Sequence, residues 1–320
     1  MELIKPKKLR QGQVIGLVAP ASPSNEDETV HGAVETLQSL GFQVKEGRHL
    51  FSRHGYLAGT DQERSADFND MFMDDSVHGI ITLGGGYGSA RILPYLDYAE
   101  IQRHPKVLMG YSDITALLNG IHVRTGLVTF HGPIASQSFT EYTLQEFKKV
   151  VMNPNAGATL GMAPPFEYGE GRVEWENRIT KIGHGKVRGR LIGGNLSLMA
   201  TLTGTPYSPD YSGKILVLED VGEATYRLDR MLTQLWLSGD LEKVAGIVFG
   251  KFTDCKTSAS WAKQLTVEEV LTDRCEMLGI PALRGLMIGH VENQTTLPIG
   301  CEAELDVDAG TLRLLEPAVI

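Results

Sequence analysis

A chain of 320 residues, 42% hydrophobic and 22% charged, is long enough for two ordinary domains and too apolar for intrinsic disorder. Its formal charge of −9, with no long basic run, argues against nucleic acid as a partner. No apolar run approaches the roughly 18 residues that a membrane span needs, and no apolar segment follows the basic cluster Lys5–Arg10, so neither a membrane anchor nor a signal peptide is expected. The three cysteines, Cys255, Cys275 and Cys301, are odd in number and widely spaced, which suits a reducing, cytoplasmic setting and offers no metal site.

Val14–Val18, apolar and β-branched, predicts a first strand, and Glu26–Leu40 a helix with Gly41 placed to end it. Phe42–Lys45 reads as a second strand. Thr60 and Glu63 form a capping-box pattern for a helix running to about Phe72. Gly79–Leu83 is a third strand, followed by the glycine loop Gly84–Gly88 and a helical stretch. Val107–Met109 and Leu127–Phe130 complete the set. Strands alternating with helices predict a mostly parallel sheet covered on both faces.

From Asn153 to Arg172 periodicity gives way to Pro, Gly and Asn, which reads as a passage between domains spanning 1–160 and 161–320. The second half begins with strand-like pieces at Arg172–Trp175 and Lys186–Ile192, and Asn195 caps a helix over Leu196–Leu202. Strands are expected at Lys214–Leu218, Val244–Phe249 and Leu286–Ile288, with helices at Tyr226–Leu237 and Thr266–Met277. The tail, Glu302–Leu315, alternates like a hairpin around Asp308-Ala309-Gly310. The whole reads as α/β.

One stretch stands out, KVLMGYSDITALL from Lys106. A short buried-type strand runs through a glycine into Ser112 and then a helix, the arrangement that holds a serine hydroxyl out for attack. The match to G-x-S-x-G is partial, since Ile114 replaces the second glycine. On the residues alone Ser112 is open to two readings, nucleophile or helix cap. In open α/β sheets ligands bind beyond the carboxyl ends of the strands. Residues there include the glycine loop, Ser112, His131, Glu219, Cys255 and His290. Serine, imidazole and carboxylate are what nucleophilic catalysis needs: imidazole takes the hydroxyl proton near neutral pH, and a carboxylate holds its tautomer. Ser112, His290 and Glu219 are one such set. The glycine loop lacks both the full dinucleotide fingerprint and a phosphate-loop ending, leaving an anion-binding turn or a plain tight turn. Cys255 is a rival nucleophile with no imidazole among its sequence neighbours. Tyr87, His131 and Trp175 are candidate pocket residues.

In these stretches the chain resembles the LD-carboxypeptidases of the S66 serine peptidase class, which includes the microcin C7 immunity proteins. The resemblance rests on GLVAPAS at Gly16, LAGTDQERSADFNDMF at Leu57, GGYGSARILPYLD at Gly85, GYSDITALL at Gly110 and FHGP at Phe130. It continues through GRLIGGNLSLMATLTGTP at Gly189, LEDVGEATYRLDRML at Leu218 and GHVENQTTLPIG at Gly289. It implies a flavodoxin-like or amidotransferase-like N-terminal sheet domain carrying Ser112, and a smaller C-terminal α/β domain carrying Glu219 and His290. The oxyanion hole it implies is made by backbone N–H groups of Asp113 and of Gly85 or Gly86. It further implies a cytoplasmic homodimer without cofactor or metal, acting on small peptides and releasing a terminal D-amino acid from murein tetrapeptides. Many carboxypeptidase members resemble R-G-G-Y-G at the loop, whereas Gly84 stands here in place of the Arg. Three other activities are compatible: cleavage of an aminoacyl-nucleotide amide, non-catalytic murein-peptide binding, and cysteine chemistry at Cys255.

Overall fold

The computed structural model describes residues 2–257 and 263–320. Fourteen strands are found among them. The first five are β1 (Val14–Val18), β2 (Gln43–Glu46), β3 (Val77–Thr82), β4 (Val107–Gly110) and β5 (Thr129–His131). Next come β6 (Thr159–Leu160), β7 (Thr180–Ile182), β8 (Lys186–Asn195), β9 (Ile215–Val221) and β10 (Gly246–Thr253). The last four are β11 (Ala282–Arg284), β12 (Leu297–Ile299), β13 (Glu302–Asp306) and β14 (Thr311–Leu314).

They form two sheets. A six-stranded sheet has the order β12-β5-β4-β3-β1-β2, parallel throughout except for β12, which runs antiparallel to β5. An eight-stranded mixed sheet has the order β6-β14-β13-β8-β9-β10-β11-β7, with β8, β9, β10 and β11 parallel at its centre. The central strands are continuous apolar runs buried on both faces: Val107, Leu108 and Met109 of β4 and Leu216, Val217 and Leu218 of β9 all have no exposed surface. Each such side chain contributes about 1.5–3 kcal/mol by leaving water.

Local chemistry sets the element ends. The capping box predicted at Thr60 and Glu63 is present at the start of helix Asp61–Met73. Gly41, at φ +90°, follows helix Asp27–Ser39. Asn195 accepts from the Leu198 N–H and caps helix Leu196–Leu202. Three expectations change. The helical stretch after the glycine loop is a 3-10 segment, Ser89–Tyr95, interrupted by Pro94. The strand expected at Leu286–Ile288 is instead Ala282–Arg284, since residues 282–284 are the ones that pair with Ile247–Phe249. Arg172–Trp175 makes no strand, only a single bridge between Gly169 and Arg172.

The sheets are docked through the helix that follows Ser112, Thr115–Thr125. Asn119 from this helix donates to the Gly193 carbonyl and accepts from the Gly193 N–H, at 2.9 and 3.1 Å. Thr115 Oγ1 accepts from the Asn195 N–H. No helix among the described residues is long and apolar enough to cross a membrane.

Candidate active site

Ser112 sits immediately beyond β4, with φ +62°, a left-handed conformation that costs a non-glycine residue about 1–2 kcal/mol. Gly110 makes the turn possible, because a Cβ there would lie 2.5 Å from Thr82 Oγ1. The serine side chain is not used as a helix cap. Its Oγ instead lies 3.0 Å from His290 Nε2, and His290 Nδ1 lies 2.7 Å from Glu219 Oε2. A continuous hydroxyl–imidazole–carboxylate relay therefore joins residues from the ends of β4 and β9 and from the loop after β11.

Several features hold that relay in register. Gly289, at φ +104°, lets the backbone carrying His290 pass against the carboxylate, since a Cβ there would fall 2.4 Å from Glu219 Oε2. Thr253 Oγ1, at the end of β10, donates to the His290 carbonyl, and Gln294 Nε2 donates to the Gly289 carbonyl. The Tyr111 ring packs edge-on to His290 with centroids 4.9 Å apart.

Glu219 is fully buried. Burial pushes its carboxyl upward, but the imidazoles of His131 and His290 outweigh that and hold it at about 2, so it is ionised at neutral pH. The neighbouring acid, Asp220, has a different job: it accepts from Asn195 Nδ2, the Ser197 hydroxyl and two backbone N–H groups, and burial raises its pKa.

The glycine loop meets the serine directly. A Cβ on Gly85 would stand 3.0 Å from Ser112 Cβ, 3.2 Å from Ser112 Oγ and 3.3 Å from the Asp113 nitrogen. The space beside that nitrogen and the hydroxyl is thus kept open by the absence of a side chain. Gly86, at φ +100°, is held against Ser22, whose hydroxyl also accepts from the Tyr87 N–H. Arg64, buried beneath, donates to the carbonyls of Pro20 and Gly88 and ties both loops together. Ser89 fixes Asp113, its N–H donating to the carboxylate and its hydroxyl to the backbone carbonyl. A Cβ on Gly84, the residue that departs from the arginine of the resemblance, would meet nothing within 4 Å.

The remaining candidates separate. Tyr87 is half exposed and stacks edge-on with Tyr56, ring centroids 5.5 Å apart. Trp175 is 76% exposed, with the Arg178 guanidinium 5.2 Å over its ring. It borders a recess of about 630 Å3 whose lining includes Lys251, Thr253, Arg284 and Val291, the residue after His290. His131, expected in a pocket wall, has no exposed surface and lies behind Glu219, because β5 is sandwiched between β4 and β12. Burial, with the carboxylates of Asp220, Glu223 and Glu219 adding to it, pushes the Cys255 thiol up to about 11, the reverse of an activated nucleophile. Among the described residues no cluster of three or more His, Cys, Asp or Glu is arranged to hold a metal ion.

Sequence reasoning missed Arg64, Asn119 and Gly289. Only Gly289 carried a signal, as the glycine beside a candidate catalytic histidine.

Residues 15–132 match the LD-carboxypeptidase N-terminal domain of the S66 peptidases, and residues 188–305 match the LD-carboxypeptidase C-terminal domain. The chain belongs to the S66 LD-carboxypeptidase family. Its relatives include a probable murein peptide carboxypeptidase of Bacillus subtilis (strain 168), 42% identical over 94% of this chain and 91% of that one. A solved structure of muramoyltetrapeptide carboxypeptidase from Oxalobacter formigenes superposes with a TM-score of 0.80 at 31% identity, over 94% of this chain and 98% of that one. MccF in complex with glutamyl sulfamoyl guanosine superposes with a TM-score of 0.88 at 28% identity, over 99% of both chains. This S66 chain is a peptidase, and its two-sheet α/β fold is that of both solved relatives.

Proposed function

We propose that this S66 peptidase is a serine LD-carboxypeptidase that releases the terminal D-alanine of murein tetrapeptides by cleaving the amide after the L-centre of meso-diaminopimelate. The observation that carries the proposal is the relay from Ser112 Oγ through His290 to a buried, ionised Glu219. The murein-peptide names of relatives at high coverage support the substrate class.

In this mechanism His290 Nε2 takes the Ser112 proton as Oγ attacks the amide carbonyl. Glu219 keeps the proton of His290 on Nδ1 and balances the imidazolium. The developing oxyanion is met by the N–H groups of Asp113 and of Gly85 or Gly86. His290 then gives its proton to the departing amine of D-alanine. Water, deprotonated by the same imidazole, hydrolyses the acyl-serine. A homodimer working in the cytoplasm is part of the proposal, and sedimentation of the full chain tests the dimer.

A second reading has its own support. The fold likeness to MccF bound to an aminoacyl sulfamoyl nucleoside, and an exposed Trp175 at the recess beside His290, favour cleavage of an aminoacyl-nucleotide amide. The deciding experiment measures D-alanine release from L-Ala-γ-D-Glu-meso-diaminopimelate-D-Ala, wild type beside Ser112→Ala. Release by wild type alone supports the proposal. No release, together with turnover of an aminoacyl sulfamoyl nucleoside, replaces it with the second reading. Equal release by both proteins removes Ser112 from the mechanism.

A further inference from the structure

Glu219 has two carboxylate oxygens and no exposed surface. Oε2 is paired with His290, whereas Oε1 is buried with no hydrogen-bond partner among the described residues. A half-paired buried carboxylate is costly, since an unsatisfied charged acceptor is destabilising by more than a neutral one. Beside it stands a second orphan. His131, fully buried at the end of β5, has no hydrogen-bond partner for either ring nitrogen among the described residues, and its Nε2 lies 3.8 Å from Glu219 Oε1. The ring is confined there. A Cβ on Gly194 would come within 2.9 Å of His131 Cδ2, and Tyr111 packs edge-on at 6.0 Å between centroids.

We propose that His131 is a positioning residue: a second imidazole that donates from Nε2 to Glu219 Oε1, fixing the carboxylate so that Oε2 faces His290. The inference rests on the Ser112–His290–Glu219 reading. Catalytic hydrogen bonds are commonly long in unliganded enzymes and tighten in the reacting complex, and the 3.8 Å gap is of that kind. The titratable groups facing Glu219 are His131 from β5, His290 from the loop after β11, Tyr111 after β4, Asp220 beside it on β9 and Cys255 after β10. Tyr111 and Cys255 are both held neutral, pushed up to about 12 and about 11 by burial, and Asp220 is occupied by Asn195 and Ser197. His131 Nε2, 3.8 Å from Oε1 and without another hydrogen bond among the described residues, is the donor the geometry offers that oxygen.

Sharing the carboxylate between two imidazoles lowers the hold of Glu219 on the His290 proton. His131→Leu returns the whole charge to His290, so the acid limb of the kcat/KM profile should move to higher pH. In the same variant kcat should fall about 10- to 100-fold with KM little changed. His131→Gln, whose amide N–H can reach the same oxygen, should restore the wild-type limb. A histidine that merely packs would lower stability in both variants and leave the limb where it was, and that result overturns the proposal. The wild type offers a test that needs no variant to fold. In long-range 1H–15N spectra of 15N-histidine-labelled protein, His131 should carry its proton on Nε2. A bare Nε2 overturns the proposal. If neither murein tetrapeptide nor aminoacyl nucleoside is cleaved, the functional reading fails, while the spectrum still decides the role of His131.

Discussion

Replacing Gly85 by alanine tests the oxyanion site with a single methyl group. The added carbon would sit 3.2 Å from Ser112 Oγ and 3.3 Å from the Asp113 nitrogen. An oxyanion must approach its donor to about 2.7–3.1 Å, so the methyl would occupy the same volume. Losing one such donor costs about 10²–10³ in kcat, or roughly 3–4 kcal/mol of transition-state stabilisation. Gly85 does not lie in the left-handed region, but the methyl meets Ser112 Cβ at 3.0 Å and the Asp113 nitrogen at 3.3 Å, so the serine turn must give by a few tenths of an ångström and the melting curves report whether it does. Gly84→Ala is the matched control: nothing lies within 4 Å of its Cβ position. Steady-state kinetics on the tetrapeptide, with melting curves of both variants, make the comparison. A Gly85→Ala protein that melts like wild type and retains kcat within about threefold would show that no oxyanion forms beside Asp113.

Three more outcomes are expected. Ser112→Gly should be more stable to urea than Ser112→Ala by about 1 kcal/mol, because glycine relieves the φ +62° backbone, while both lose turnover by several orders of magnitude. Equal stabilities would mean the turn is unstrained. Cys255→Ala should leave kcat unchanged, and the wild-type thiol should alkylate slowly at neutral pH, as a pKa of about 11 requires; a dead alanine variant would revive cysteine chemistry. Glu219, held at about 2 against an ordinary 4.5, contributes stability that is complete above pH 4.5 and drains away as pH falls toward 2. The difference in urea midpoint between wild type and Glu219→Gln should therefore shrink on acidification below pH 4.5, and a difference that grows would reverse the sign of the argument.

Much of this was legible in the residues because local rules and tertiary structure agree. Strand, glycine and helix at Val107–Leu118 follow from short-range chemistry, as does the box at Thr60 and Glu63. What the sequence could not supply was distance. Ser112 and His290 are 178 positions apart, and their meeting depends on Asn119 bolting one sheet to the backbone of Gly193 in the other. Short strands also escaped. Ala282–Arg284 and Leu297–Ile299 have three residues each, too few for periodicity, and both exist because a neighbouring strand offers unpaired backbone. His131 misled for a related reason: a polar residue at a strand end reads as solvent-facing until the strands on either side of it are known.

The two sheets exchange strands. β12, a few positions past His290, pairs with β5 in the first sheet, and β6, which follows the first sheet in sequence, pairs with β14 in the second. Each half of the chain thus finishes the other's sheet, and between them runs the mostly exposed, irregular segment 163–178. Cutting the gene in that segment would yield two polypeptides that are each missing an edge. Expressed apart they should be poorly folded; mixed, they should find each other and regain one site. The enzyme is, in effect, a natural candidate for split-protein reassembly, with turnover reporting that the two pieces have met.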